Sequence, residues 1–215
     1  MKEPIQAVAH QMRMAHAVHG IVSAVDPSSH AVKVRLQPED IETGWLPDTA
    51  LALAGDLQLA SPCSLGSHVL LIPIEGNGES YVIASSLFDV VALPPVSPAT
   101  GKVAQPGELL IRAGRGAKSQ SAEPDKEAAW FHLGRNGIFL GIGALRCTIG
   151  GDAIVFHAGS FEMTLSAKGL TLKGAGMSIN GGDIVVSGGD VRTELNSLSG
   201  HIHPAPNGMT GKPVG

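Results

Sequence analysis

The sequence predicts an all-β fold, and three observations lead to that prediction. Only 4% of the 215 residues are aromatic whereas 28 are glycine, so the core has to be built from small aliphatic side chains on a tightly turning backbone. Over most of the chain, apolar and polar residues alternate at the two-residue period of strands. Turn signals follow one another too closely to leave room for crossover helices. Together these features favour many short strands joined by turns.

Residues 1–19 are the exception and are predicted to form an N-terminal helix. Between Ile5 and Val18 the apolar side chains recur at helical spacing. The histidines of this stretch share no face at a spacing of four residues, so we interpret them as helix-surface residues rather than metal ligands. They are His10, His16 and His19.

Residues 20–93 are predicted to form a small closed β-barrel. The stretch GIVSAVDPSSHAVKVRL indicates a hairpin with a proline-containing turn, in which one face carries Ile21, Ser23, Val25, Val32, Val34 and Leu36. Further along, SHVLLIPI predicts a buried strand, EGNGES a turn, and YVIASSLF the antiparallel partner strand. Short strands in such close succession favour closure of the sheet on itself.

Residues 94–129 are predicted to form a linker and a polar loop. Prolines at positions 94, 95, 98 and 106 are dense enough to end regular structure. Within this region LLIRAG has the pattern of one strand, and RGAKSQSAEPDKEAA is polar and expected to be exposed.

Residues 130–199 are predicted to form a glycine-rich ladder of strands. Alternating segments of five to eight residues are separated by G, GG or AG, and each presents one apolar face, as with Phe161, Met163 and Leu165. A single chain offers too few segments to cover these faces. Three copies wound about a common axis would bury them, so the pattern predicts a homotrimer.

Residues 200–215 are predicted to form a metal-binding apex. In extended backbone, residues two apart point to the same face, so His201 and His203 should project together. Two imidazoles are too few for a metal ion, but around a three-fold axis they become six nitrogens, which is the number of ligands in an octahedron. Imidazole suits iron, nickel, copper and zinc, and octahedral geometry argues against zinc. The chemistry alone leaves the metal open.

The order of helix, barrel, glycine-rich ladder and terminal histidine pair resembles the central spike of contractile phage tails, the baseplate assembly protein V family. The resemblance covers essentially the full chain and is carried by GIVSAVD and VKVRL, WLP at 45–47, LGSHVLLIPIEGNGESYVIAS, the glycine-rich ladder and HIHP at 201–204. It implies an OB-like β-barrel followed by an intertwined trimeric β-helix. Residues 94–129 depart from the compact members of that family because they are longer and more polar.

The resemblance also implies a function and a set of partners. Members are homotrimers that dock on a tail tube or baseplate hub protein and pierce the outer membrane of the target cell without catalysis. His201 and His203 of each chain match the positions that hold one iron ion on the three-fold axis. The implied location is the baseplate of the virion tail, assembled in the host cytoplasm.

Three other functions compete with this interpretation. A glycosidase would need two positioned carboxylates in a cleft, whereas the acidic residues lie on turns or separate strands, and no hydrolase or Walker motif is present. An OB-type nucleic-acid-binding module would need stacking aromatics and a basic groove, whereas the net charge is −4 and Trp45, Tyr81 and Phe88 are expected to pack in the core. A spike of a related secretion or bacteriocin-type injection system would use the same physics.

The remaining features have ordinary interpretations. Cys63 and Cys147 form no C-x-x-C pair, and we expect two buried small hydrophobes rather than a disulfide. His68, His132 and His157 are expected to be hydrogen-bonded or surface residues. No stretch approaches the roughly 20 apolar residues that span a bilayer, and the N-terminus has no signal-type pattern, so we expect a soluble protein.

Overall fold

The structure, a computed structural model, describes residues 16–74, 80–114, 127–174 and 176–212. These residues form strands and turns, and no α-helix occurs among them. The all-β prediction is therefore confirmed. Almost all of the predicted N-terminal helix lies outside the described residues, but its last two residues, Val18 and His19, already belong to a strand.

The first sheet has six strands in the order β3-β2-β1-β7-β8, with β4 pairing to β2. It is not closed by hydrogen bonds, although the Thr49 hydroxyl donates to the Ile83 carbonyl on β8 at 2.9 Å, just beyond the end of β4. A separate hairpin is formed by β5 and β6. The bounds are β1 Val18–Asp26, β2 Ala31–Leu36, β3 Ile41–Glu42, β4 Leu46–Pro47, β5 Ala52–Ala54, β6 Leu57–Leu59, β7 His68–Pro73 and β8 Tyr81–Leu87.

The predicted hairpin of β1 and β2 is present. Its predicted inner face is wrong at Ile21 and Ser23, whereas Val25 and Leu36 pack against the core as predicted. Val32 and Val34 are buried as expected, whereas Val22 rather than Ile21 faces them. The register shifts between Val22 and Ala24, which leaves Ser23 as an extra residue. A β-bulge of this kind changes which residues face inward on either side of it.

The core of the first sheet consists of aliphatic side chains and one tyrosine. The fully buried residues are Val22, Val32, Val34, Leu46, Val69, Leu71, Tyr81 and Ile83. Two of the three aromatic residues expected in this core are instead exposed, because Trp45 and Phe88 have 54% and 70% of their surface accessible. The amino group of Lys33 lies 5.5 Å from the centre of a Trp45 ring.

The second sheet is a seven-stranded antiparallel meander in which every strand pairs with its neighbour in sequence. Its strands are β9 Leu109–Arg112, β10 Trp130–Gly134, β11 Gly137–Ile142, β12 Leu145–Ile149, β13 Ala153–Ala158, β14 Phe161–Ser166 and β15 Gly169–Lys173. Gly143 and Gly159, at two of the turns, have positive φ angles of 55° and 62°, which glycine adopts without strain. The predicted LLIRAG strand is β9, the edge strand of this sheet.

One face of the second sheet is apolar along its whole width. Residues directly opposite each other in an antiparallel pair share a face, and the register lines up three rows of apolar side chains on one side. We call this surface the apolar face. Its rows are Leu109–Leu133–Ile138–Ile149–Ile154–Leu165–Leu170, Ile111–Phe131–Leu140–Cys147–Phe156–Met163–Leu172, and Ile142–Leu145–Ala158–Phe161.

The opposite face of the second sheet is mixed in character and is partly covered by the chain before β9. A bridge between Val96 and Val103 shapes this segment. It buries Ser97 and His132 against each other. On the same face, the ring of Trp130 lies over Gly141, where a side chain would leave no room for it.

Residues 176–212 form a separate unit with little regular structure. The hairpin of β16 (Pro204–Ala205) and β17 (Gly208–Met209) is accompanied by one isolated bridge, between Arg192 and Ser197. The stretch that was predicted to continue the ladder to residue 199 forms no strand among the described residues. Many of its aliphatic side chains are exposed, including Ile184, Val185, Leu195 and Leu198.

Both cysteines are free, as expected. The Cys63 thiol lies 3.1 Å from Asp48 Oδ1, and burial raises its pKa to about 11. The thiol therefore stays protonated at neutral pH, and the side chain acts as a small half-buried packing group.

The packing of Gly20 allows a stability test of the first sheet. A Cβ at this position would lie 2.3 Å from Val34 Cγ1 and 2.9 Å from Leu71 Cδ1, both in the core, whereas a Cβ on Gly44 would meet nothing within 4 Å. We expect Gly20→Ala to lower the free energy of unfolding by about 1–3 kcal/mol, because overpacking displaces the core. Gly44→Ala should change it little. Urea denaturation followed by circular dichroism measures both, and equal values would contradict the packing described.

Candidate metal centre

The structure brings the two predicted ligands, His201 and His203, side by side. Their ring centroids are 4.9 Å apart and the ring planes are at 89° to each other. The side chains therefore point to the same side of the chain, as the spacing of two residues predicts. A depression of about 350 Å³ adjoins both rings and is also lined by Thr193 and Asn196.

A backbone carbonyl orients the ring of His201. Its Nδ1 atom lies 2.7 Å from the carbonyl oxygen of Leu198. Because a carbonyl can only accept, Nδ1 must carry the proton and donate it, which leaves Nε2 with a free lone pair. Histidines that bind metals are commonly held this way, with the second ring nitrogen donating to a carbonyl or carboxylate.

The loop that presents the Leu198 carbonyl is organised around Asp190. The amide of Ser199 donates to Asp190 Oδ1 at 3.1 Å, and the Ser197 hydroxyl donates to Oδ2. The amide of Leu198 donates to the Val191 carbonyl at 2.8 Å. The hydrogen bond from Ser197, reinforced by those from Ser199, lowers the pKa of Asp190 from 3.8 to about 2. The carboxylate therefore holds this loop throughout the neutral range.

A hairpin fixes the backbone of His203. Its amide donates to the Thr210 hydroxyl at 2.8 Å, and the Thr210 amide donates to the His203 carbonyl at 2.8 Å. These bonds extend the β16–β17 hairpin back to the ligand. Within the part of the chain that the structure describes, no hydrogen bond engages the ring nitrogens of His203.

The residue types of this pair suit a transition metal, but one chain supplies only two of the ligands. Each chain offers one oriented imidazole, His201, and one adjacent imidazole, His203. Neutral imidazole is a ligand for iron, nickel, copper and zinc, and two such nitrogens fill neither a tetrahedron nor an octahedron. The remaining ligands have to come from other chains or from water. The donor set fits the iron implied by the sequence resemblance as well as its neighbours in the periodic table.

The other histidines named from the sequence have different environments. His10 lies outside the described residues, and His16 is exposed. The interpretation of His19 as a helix-surface residue is wrong, because it lies on β1. His157 is partly exposed and lies 3.9 Å from Glu162, whereas His132 is buried with 1% of its side chain accessible.

A second cluster of possible ligands lies on the first sheet: His19, His68 and Asp89. One ligand atom from each lies within 4.8 Å of the other two. The rings of His19 and His68 are 5.2 Å apart, and His68 Nδ1 is hydrogen-bonded to Asp89 Oδ2. The amides of Val91 and Ala92 donate to Asp89 Oδ1 at 2.7 and 2.8 Å.

Hydrogen bonds keep the carboxylate of this cluster ionised. Those from the amides of Ala92 and Val91, followed by the one from His68, lower the pKa of Asp89 from 3.8 to about 2. No local pattern indicates this cluster, because His19 and Asp89 are 70 positions apart in the chain. Only the pairing of β1 with β7 and of β7 with β8 brings the three residues together.

A third polar group is buried between β10 and the segment before β9. The Ser97 hydroxyl lies 2.9 Å from His132 Nδ1, and His132 Nε2 lies 3.4 Å from Glu108 Oε2. The residue types match those of a nucleophile–base–acid chain. However, Ser97 has none of its surface accessible, and its oxygen also accepts the Ala99 amide. In this conformation the group joins two parts of the fold and is closed to a substrate.

Comparison with protein-family models gives no match, and comparison with curated proteins gives no similar sequence. Among the described residues, no helix is long and apolar enough to cross a membrane.

The role of Asp190 can be tested through the Ser199 amide. We expect Asp190→Ala to speed hydrogen exchange of this amide at neutral pH, because its acceptor is removed. In the unchanged protein, the carboxylate is more acidic folded than unfolded. The stability that the Asp190 carboxylate adds to the folded state is therefore complete above the ordinary pKa of 3.8, and it is lost as the pH falls through about 2.

Asp183 provides the matched control, because it lies in the same unit and no partner of its side chain is found among the described residues. Asp183→Ala should leave the exchange of the Ser199 amide unchanged. Hydrogen exchange read by mass spectrometry measures the effect. If both variants exchange alike, Asp190 does not organise the loop.

Proposed function

We propose that this chain is the central spike of a contractile injection apparatus, which docks under the tail tube and pierces the target cell's outer membrane mechanically. The order of sequence elements supports this proposal through its resemblance to the phage spike family. In structural terms, one observation carries it. The second sheet has an apolar face that stays largely exposed among the described residues.

The burial pattern supports assembly of several chains. Among the described residues, the fully buried hydrophobic side chains all belong to the core of the first sheet, except Trp130. On the apolar face, Ile142, Leu145 and Leu165 keep about half of their surface accessible. A groove of about 750 Å³ also runs along this region. Soluble monomers rarely expose a continuous apolar surface of this extent.

Three copies around an axis provide a way to bury this surface. Each chain would turn its apolar face inward, and the three sheets would enclose a common core in the manner of a β-helix with three sides. Closed cyclic assembly also leaves no apolar surface to recruit further chains. Residues 176–199 expose further aliphatic side chains, which association of several chains would also bury.

The apex completes the same arrangement. Three pairs of His201 and His203 would meet on the axis and provide six nitrogens, a set that suits an octahedral ion such as iron. A bound ion would join three chain ends where the apolar core is thin, just as metals stabilise small domains that lack a core. Piercing requires a stiff assembly without frayed ends, and no catalytic group.

The first sheet is proposed to act as an OB-like docking barrel. Its exposed Trp45 beneath Lys33 would favour nucleic-acid binding instead, since aromatic and cationic groups together bind single strands. The neighbouring charges oppose that alternative. Lys33 lies 3.6 Å from Glu42, and Arg35 lies 3.4 Å from Asp40, so these two cations of β2 are each paired with a carboxylate. A spike of a related secretion or bacteriocin-type system has the same requirements.

The trimer is tested with two neighbouring residues of β15. Leu170 lies on the apolar face and Thr171 on the opposite face, and both are exposed in the single chain. We expect Leu170→Asp to weaken the trimer, because burial of a leucine contributes about 1.5–3 kcal/mol per chain. Thr171→Asp should leave it intact. Light scattering measures the mass against the 22.1 kDa of one chain; a wild-type monomer, or equal behaviour of the two variants, would refute the assembly.

The apex is tested by its metal content. We expect about one-third of an iron atom per chain in the purified trimer, because six ligands from three chains hold one ion. The double variant His201→Ala, His203→Ala should lose the metal and remain trimeric, and His157→Ala is the control. Elemental analysis and light scattering give both values. Metal retained by the double variant would place the ion elsewhere, and dissociation would show that the metal holds the trimer together.

A further inference from the structure

We infer that His19, His68 and Asp89 form a second metal site, which binds a divalent transition-metal ion such as Zn²⁺ within a single chain. This inference is independent of the proposed spike function. It concerns the first sheet alone and needs no partner chain.

The strand register places the three side chains on one face of the sheet. His19 pairs with Leu70 and His68 with Ile21, so the two histidines are diagonal neighbours on β1 and β7. His68 in turn pairs with Leu87 on β8, and Asp89 follows two residues later. Diagonal neighbours on one face lie close enough for long side chains to meet. Val69 and Leu71 point into the core, so alternation along β7 puts His68 and the cluster on the outer face.

The carboxylate is already fixed in position. The amides of Val91 and Ala92 both bind Asp89 Oδ1, and the Asp89 amide donates back to the Ala92 carbonyl at 3.0 Å. These bonds leave Oδ2 directed at the imidazole of His68. The side chain of His68 is 11% accessible and that of Asp89 is 33% accessible. The site is therefore sheltered yet open enough for an ion and a water molecule to enter.

A simple ion pair accounts for only part of this arrangement. The contact of His68 with Asp89 would be satisfied without any third group. His19 adds a second imidazole at 5.2 Å, edge to face, and no hydrogen bond of its ring is found among the described residues. Two imidazoles and one carboxylate are a common ligand set for Zn²⁺, with water as the fourth ligand. The nitrogen donors argue against Ca²⁺ and Mg²⁺, which prefer oxygen.

A bound ion would link three neighbouring parts of the first sheet. An ion at this site would join the start of β1, the start of β7 and the chain that leaves β8. These segments are far apart in sequence, so a ligand that binds only the folded state would stabilise their contact.

The test uses the full chain carrying His201→Ala and His203→Ala, so that the apex cannot contribute. The protein is stripped of metal with a chelator and titrated with Zn²⁺ by calorimetry, and with Co²⁺ by visible absorption, which reports coordination directly. We expect one ion per chain. His19→Ala and Asp89→Asn should each weaken Zn²⁺ binding at least about tenfold, the usual scale for losing a ligand or its support. His157→Ala, another histidine beside a carboxylate, should have no effect.

The outcomes separate the site from its alternatives. Zn²⁺ should also raise the melting temperature of the parent protein but not that of His19→Ala. Since the His19 ring makes no hydrogen bond among the described residues, this variant is expected to fold, which circular dichroism checks. Failure to bind one Zn²⁺ per chain, or binding that survives His19→Ala, would overturn the inference. Neither result bears on the trimer or on the apex.

Discussion

A seven-stranded antiparallel sheet has two faces, and in this chain one of them consists of three uninterrupted apolar rows. Contact of such a face with water is unfavourable, because burial of each large aliphatic or aromatic side chain would stabilise the protein by about 1.5–3 kcal/mol. The segment around Ser97 covers part of the opposite face, where it contacts His132. Exposure of the apolar face to water is therefore unfavourable, and burial against a partner would relieve it.

The proposed metal-binding apex would likewise need several chains. Two imidazoles from one chain are an incomplete ligand set, and they become sufficient only if other chains arrive at the same point. The polar loop at Asp190 and the hairpin at Thr210 then have a limited task, which is to hold His201 and His203 in position.

The sequence predicted those features that depend on local patterns. The alternation of Val32 and Val34 fixed the inner face of β2, and the two-residue spacing of His201 and His203 placed their rings together. The bulge at Ser23 could not be predicted, because nothing in its neighbours requires an extra residue there. The exposure of Trp45 and Phe88 was missed for a similar reason, since hydrophobicity indicates which residues could be buried and not whether the sheet reaches them.

Features that depend on distant pairing escaped the sequence analysis altogether. The cluster of His19, His68 and Asp89 exists only because β7 lies between β1 and β8. The contact of Ser97 with His132 likewise joins residues 35 positions apart in the chain. Composition and periodicity carry no information about register between strands that are far apart in the chain.

The meander topology of the second sheet has a consequence for how the chain folds. Each strand from β9 to β15 pairs with the strand next to it in sequence, so the contacts of the sheet are local. The loops between β10 and β15 are also short. Such sheets form quickly and can grow one hairpin at a time. The first sheet is different, because β1 pairs with β7, which lies more than 40 residues later in the chain. Closing this long loop costs conformational entropy. During synthesis, β1 would thus stay without one partner until residue 73 has emerged, and we expect closure of this long-range pair to limit the folding rate of a single chain.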